Sequence, residues 1–167
     1  NDDWLFWYDE NSFALVWNIP EKAQKVTLPH DAMISETAYA ESRNGNNTGF
    51  RDGKNYVYVK KFIAEEEDLY KENILKFEGS CIQDRSELRF HLLTTAADGP
   101  AAGRHHNGYT SFYVNMKDFL HLGENEIRVQ VRNGAMSNSR WYSGGGLYRD
   151  VYLLCSDLLH VSATGSK

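Results

Sequence analysis

The strongest constraint on this chain is the recurrence of short apolar runs that alternate with polar residues and end at turn chemistry. Glu126-Ile-Arg-Val-Gln-Val-Arg132 alternates without a break. Tyr56-Val-Tyr-Val-Lys-Lys-Phe-Ile63 carries β-branched and aromatic residues over one strand length. Successive side chains of a strand point to opposite faces, so each run can bury one side. Further strands are expected at 4–8, 13–17, 25–29, 74–79, 86–93, 109–114, 151–154 and 158–161. Asp9-Glu-Asn-Ser12, Asp52-Gly53 and Gly123-Glu-Asn125 supply turns between them. Residues 116–122 read as a helical turn at most, and Glu65-Glu-Glu-Asp68 as a solvated turn. Many short strands with almost no helix imply an all-β sandwich.

The 167 residues favour one domain, 1–167, and no Pro/Gly linker or internal repeat divides them. A chain of this size buries about 70% of its unfolded surface, enough for a core without staples. The net charge is −5 and Lys and Arg are scattered, which argues against nucleic acid and against an anionic membrane surface. No apolar run is long enough for a transmembrane helix. Two cysteines, Cys81 and Cys155, sit in apolar runs. They read as buried free thiols, which favours a reducing, cytoplasmic compartment. The chain starts at Asn1 without methionine, which leaves room for a removed leader.

Residues 30–55 lack periodicity and form a long irregular loop, a class that is usually functional or mobile. His30-Asp31 opens it. The pair could be half of a nucleophilic triad, but no G-x-S-x-G elbow accompanies it, so a hydrogen-bonded pair that fixes the loop is the better reading. His105-His106 lacks zinc spacing and reads as a surface loop pair. No metal site, cofactor or catalytic constellation emerges. Asn44-Gly-Asn-Asn-Thr-Gly49 suits a turn-rich loop, and its amides could also reach sugar hydroxyls. Residues 94–103 read as a loop.

Asn138-Ser-Arg-Trp-Tyr-Ser-Gly-Gly-Gly-Leu-Tyr-Arg149 sets an arginine, a tryptophan and a tyrosine against three glycines just before a strand. A strand follows rather than a helix, so the glycines mark a backbone bend and not a phosphate cradle. A flat aromatic face beside hydrogen-bonding groups suits a sugar ring, and core packing of the same residues is the alternative.

In order along the chain stand Trp4-Leu-Phe-Trp7, Val26-Thr-Leu-Pro-His-Asp31, Thr48-Gly-Phe50 and Lys60-Lys-Phe62. Leu75-Lys-Phe-Glu-Gly79, Gly108-Tyr-Thr-Ser-Phe112, Leu122-Gly-Glu-Asn-Glu-Ile-Arg-Val129 and the Ser139–Arg149 segment follow. This series resembles the N-terminal sugar-binding domain of glycoside hydrolase family 2, the β-galactosidase branch most. The resemblance implies a galactose-binding-type jelly-roll sandwich, followed in the family by an immunoglobulin-like domain and a TIM barrel. The barrel's two glutamates carry retaining hydrolysis, which needs carboxyls about 5–5.5 Å apart. A barrel takes about 250 residues, so the chain is expected to be a noncatalytic domain that hydrolyses nothing unaided. By resemblance, Asn46 of Asn46-Asn-Thr-Gly49 contacts galactosyl hydroxyls. Asn138, where many relatives have aspartate, lies near the same site. Arg140 and Trp141 match the motif and complete the sugar-binding set. The implied partners are a terminal β-galactoside or related sugar and the remaining domains of the parent, with room for a homo-oligomeric parent. One departure stands out: relatives have an Asn-Gly hairpin where this chain has the longer 91–103 segment, expected to be a longer surface hairpin or irregular loop.

Overall fold

A computed structural model describes residues 1–9, 18–43, 45–79, 88–93, 101–105, 108–133 and 144–160, with backbone alone at 47, 88–93, 101 and 102. The expected strand at 13–17, Cys81, His106, residues 94–100 and the segment 134–143 lie outside this set. Nine strands are described: β1 (Trp4–Asp9), β2 (Gln24–Val26), β3 (Asn55–Ala64), β4 (Glu72–Phe77), β5 (Leu88–Leu93), β6 (Ala101–His105), β7 (Phe112–Asn115), β8 (Gly123–Arg132) and β9 (Val151–Ser156). They form two antiparallel sheets, in the orders β2-β1-β3-β8-β5-β6 and β7-β4-β9. The architecture is the expected all-β sandwich.

The β3–β8 pair organises the larger sheet, with ten residues in register from Asn55↔Arg132 to Ala64↔Gly123. Tyr56 and Tyr58 on β3 face the smaller sheet, as do Ile127, Val129 and Val131 on β8. They meet Leu75 and Phe77 from β4 and Val114 from β7. Val57 and Val59 turn to the opposite face and pack on Trp7, with Leu5, Ile19 and Ala23 around them. The centre of this sheet is therefore covered on both sides, which explains why β3 reads as a nearly continuous apolar run.

The polar positions of β8 differ from what its alternation suggests. Arg128 and Gln130 are buried at 1% exposure rather than facing solvent. Arg128 donates to Glu126 Oε1 through Nε at 3.0 Å and Nη2 at 2.8 Å, and its guanidinium lies 5.5 Å from the Trp7 ring. Gln130 Nε2 donates to Asp9 Oδ2 at 2.7 Å. Buried polar groups persist where such partners offset their desolvation.

Five local expectations change. Residues 101–103, read as loop, belong to β6, which pairs with β5 and forms a hairpin flank for the long 91–103 segment. His105 closes that strand rather than lying in a loop, its ring stacked 4.2 Å from Phe112. Cys155 is exposed, not buried. It sits on edge strand β9 at the margin of the sandwich, where Leu153 on the same face is also 47% exposed. Residues 158–160 bend instead of pairing, and leave Leu158 and Leu159 in solvent. The charge run at 65–68 begins a short helix, α1 (Glu66–Leu69), closed by a reciprocal Glu65–Asp68 capping box.

Candidate functional site

One end of the larger sheet gathers the segments singled out in the sequence. Asp9, Asn55 and Arg132 form the last row across β1, β3 and β8 there. The long loop 30–54 leads into β3 at this row, and the chain leaves β8 at Asn133 and returns at Gly144. Asn133 is fully buried, and its Nδ2 donates to Gly144 O at 3.4 Å. Asn133 and Gly144 thus lie beside the loop that carries Asn46.

His30 and Asp31 do fix the loop, through partners elsewhere in the chain. His30 N donates to Leu147 O at 2.7 Å, and Ala32 N donates to Gly145 O at 2.7 Å. Asp31 Oδ1 accepts from Met33 N at 3.0 Å, Ile34 N at 3.3 Å and Gly145 N at 3.0 Å. The His30 ring lies 4.7 Å from Phe6, with Nδ1 2.9 Å from Tyr58 Oη. Burial lowers the His30 pKa below 6.5, against the opposing field of Asp31. Burial also raises the Tyr58 hydroxyl well above 10, so it serves as a neutral hydrogen-bonding group. The glycine run makes the expected bend, with φ of 73° at Gly144 and 106° at Gly146.

The middle of the loop is a second knot. Residues Gly45–Thr48 form a 3-10 helix. Thr48 is buried, and its hydroxyl donates to Arg51 O. Arg51 Nε donates to Glu36 O at 2.9 Å and Nη1 to Gly49 O at 3.2 Å. Buried Asp52 accepts from Ser42 Oγ at 2.7 Å and from the Tyr39 hydroxyl, with Arg43 at 3.6 Å. This loop is irregular in trace but dense in hydrogen bonds. Asn46, the one sequence-assigned site residue within the described set, stands on the exposed side of the 3-10 helix. Its backbone carbonyl accepts from Gly49 N at 3.4 Å. Asn138, Arg140 and Trp141 lie outside the described residues.

Three features of this end carried no usable signal in the sequence. Phe50, next to Asn46, is 43% exposed and has φ of 61°, a region that costs a bulky residue about 1–3 kcal/mol. It is held there by Phe50 N donating to Gly45 O and Tyr39 N donating to Phe50 O. Glu36 pairs with Lys54 at 3.1 Å, and Lys54 Nζ lies 4.8 Å from the Tyr8 ring centroid. Desolvation raises the Glu36 pKa despite Lys54. Phe50, Glu36 and Lys54 lie outside any periodic stretch, and an acid or a lysine in such a loop is ordinarily solvated. The opposite end of the sandwich holds an apolar recess of about 210 Å³ lined by Trp4, Phe62, Leu75, Ile127, Val151 and Leu153. Asn1 and Lys60 also line it, with Lys60 Nζ donating to Asp2 O and Asn1 Oδ1 accepting from Val151 N.

No family model matches the chain. A β-galactosidase from Bacteroides ovatus is 30% identical over 168 residues, covering 99% of this chain and 19% of its own length. Among solved structures, a β-glycosidase from Bacteroides vulgatus matches with TM-score 0.77 and 29% identity, over 93% of this chain and 20% of that one. A β-glucuronidase from glycoside hydrolase family 2 shares the fold, with TM-score 0.76 and 21% identity over 99% of this chain and 18% of that one. The chain therefore spans about a fifth of the length of the relatives it matches.

Proposed function

Since the chain belongs to glycoside hydrolase family 2, as a β-sandwich domain of that family's enzymes, we propose that it is a noncatalytic sugar-recognition domain. In this reading it forms one wall of the substrate pocket of a retaining, β-galactosidase-like enzyme. Asn46 supplies a side-chain amide to a sugar hydroxyl, and Asn138, Arg140 and Trp141 supply the neighbouring contacts. The single observation that carries the reading is that the loop bearing Asn46 is tied to Gly144–Leu147, the residues that follow 134–143, at one end of the larger sheet. Asn46 stands exposed on a 3-10 helix of that loop, and Asn133 and Gly145 are hydrogen-bonded to Gly144 and to Asp31 of the loop, respectively. The hydrolytic groups come from a partner domain of the parent chain.

The energetics favour a shared pocket over autonomous binding. Two or three sugar hydrogen bonds contribute about 1 kcal/mol each. An aromatic contact adds a comparable amount, and the entropy of association offsets much of the sum. The expected affinity of the chain alone is therefore millimolar or weaker, near −4 kcal/mol. In the parent enzyme, Asn46→Ala is expected to raise KM for a β-galactoside or lower kcat, by about 5- to 30-fold for one lost hydrogen bond of 1–2 kcal/mol. Unchanged KM and kcat would instead make the domain a structural scaffold.

A further inference from the structure

The geometry points to Asp31 as the positioning residue that ties the Asn46 loop to the Gly144–Leu147 turn, so that sugar affinity depends on a carboxylate outside the assigned sugar contacts. The inference rests on the sugar-recognition reading above. Its basis is a continuous path of hydrogen bonds. From Asp31 Oδ1, one branch runs directly to Gly145 N. The other runs through Met33 N, then Met33 O to Glu36 N, Glu36 O to Arg51 Nε, and Arg51 O to the Thr48 hydroxyl. Arg51 Nη1 also holds Gly49 O, and Gly49 N reaches Asn46 O.

Chemistry at each end makes Asp31 hard to replace. Met33 and Gly145 are buried, so their amides have no ready access to solvent if the carboxylate is lost. A Cβ at Gly144 would lie 2.6 Å from Asp31 Oδ2, so glycine there admits the carboxylate. One charged acceptor thus joins a turn of loop 30–54 to Gly145.

The test is a titration of the 15N-labelled chain with methyl β-D-galactopyranoside, reading the backbone amides of 45–49 and 144–147. It compares wild type, Asp31→Asn, Asp31→Ala and Val129→Ala, each well below its melting temperature. Val129 is a fully buried core residue that makes none of these side-chain hydrogen bonds, and its truncation reports a general loss of core stability. Asp31→Ala is expected to weaken binding about fivefold or more, the lower end of ordinary site-to-site coupling. Asp31→Asn keeps an acceptor for Gly145 N and recovers most of the affinity, and Val129→Ala binds as wild type does. Wild-type affinity in Asp31→Ala overturns the inference and leaves the sugar reading standing. Equal losses in Asp31→Asn and Asp31→Ala, with the Gly145 amide still protected, also overturn it, because the carboxylate would then be a direct contact. Absence of any sugar-dependent shift in the wild type overturns both the inference and the reading beneath it.

Discussion

Replacing Gly146 by alanine tests whether the glycine run is a conformational requirement. Gly146 has φ of 106°, beyond the left-handed helical region that other residues occasionally visit. Forcing an L-residue there costs about 1–3 kcal/mol. The added Cβ also runs into the Tyr58 hydroxyl, and lies 3.0 Å from His30 O and 3.3 Å from Ala32 N. Tyr58 is fully buried and cannot swing away. Overpacking of that kind costs a further 1–3 kcal/mol or so. The expected loss is therefore about 2–6 kcal/mol, or roughly 6–18 °C in Tm for a chain of this size at about 3 °C per kcal/mol. Gly45 provides the control, with φ of 50° and open space around its Cβ position. Gly45→Ala should cost only about 1 kcal/mol, from the backbone alone. Both variants are read by urea unfolding and calorimetry. The double variant Gly146→Ala/Tyr58→Phe removes the colliding oxygen and should recover about 1 kcal/mol or more relative to additivity. Equal losses at Gly45 and Gly146, or strict additivity in the double variant, would refute the steric part of the reasoning.

Other outcomes follow from the same geometry. Because burial lowers the His30 pKa in the folded state, the unfolded chain binds the proton more readily. Stability should fall as pH drops from above 6.5 through the lowered value, and His30→Gln should flatten that slope in urea unfolding measured across pH. Asp52→Ala removes the acceptor for Ser42 and Tyr39, and with it an expected 2–3 kcal/mol or so, since hydrogen bonds to a charged group are worth about 1.5–3 kcal/mol each and the exposed Tyr39 hydroxyl regains water. Hydrogen exchange at the 45–49 amides should accelerate in that variant while the β3–β8 amides stay protected. Unchanged exchange at 45–49 would separate Asp52 from the loop it is argued to hold.

The legible parts of the fold are those where a period and a burial pattern coincide. β3 and β8 were readable because their inward residues, Tyr56, Tyr58, Ile127, Val129 and Val131, are all apolar. The other face of β8 was not, because Arg128 and Gln130 are buried through partners on Trp7, Glu126 and Asp9 that no local pattern reveals. β6 was missed because Ala-Ala-Gly-Arg-His has little β propensity, and pairing with β5 overrides it. Cys155 was placed inside because its neighbours are apolar, yet an edge strand leaves such residues open. At the candidate site, the glycine bend and the fixing role of His30 and Asp31 were visible as residue types. Their partners, 28 residues away at Tyr58 and 114 away at Gly145, were not. Asn46 came from resemblance to a family motif, whereas Glu36, Lys54 and the strained Phe50 acquire meaning only once the loop is folded.

The proposal that this domain presents Asn46 to a sugar is tested most directly by titrating the labelled chain with methyl β-D-galactopyranoside and following the Asn46 side-chain amide. The account predicts a saturable shift with a Kd in the millimolar range, near −4 kcal/mol, confined to the loop end of the sandwich and abolished in Asn46→Ala. An unmoved Asn46 amide at saturating sugar, or micromolar binding that survives Asn46→Ala, would contradict it.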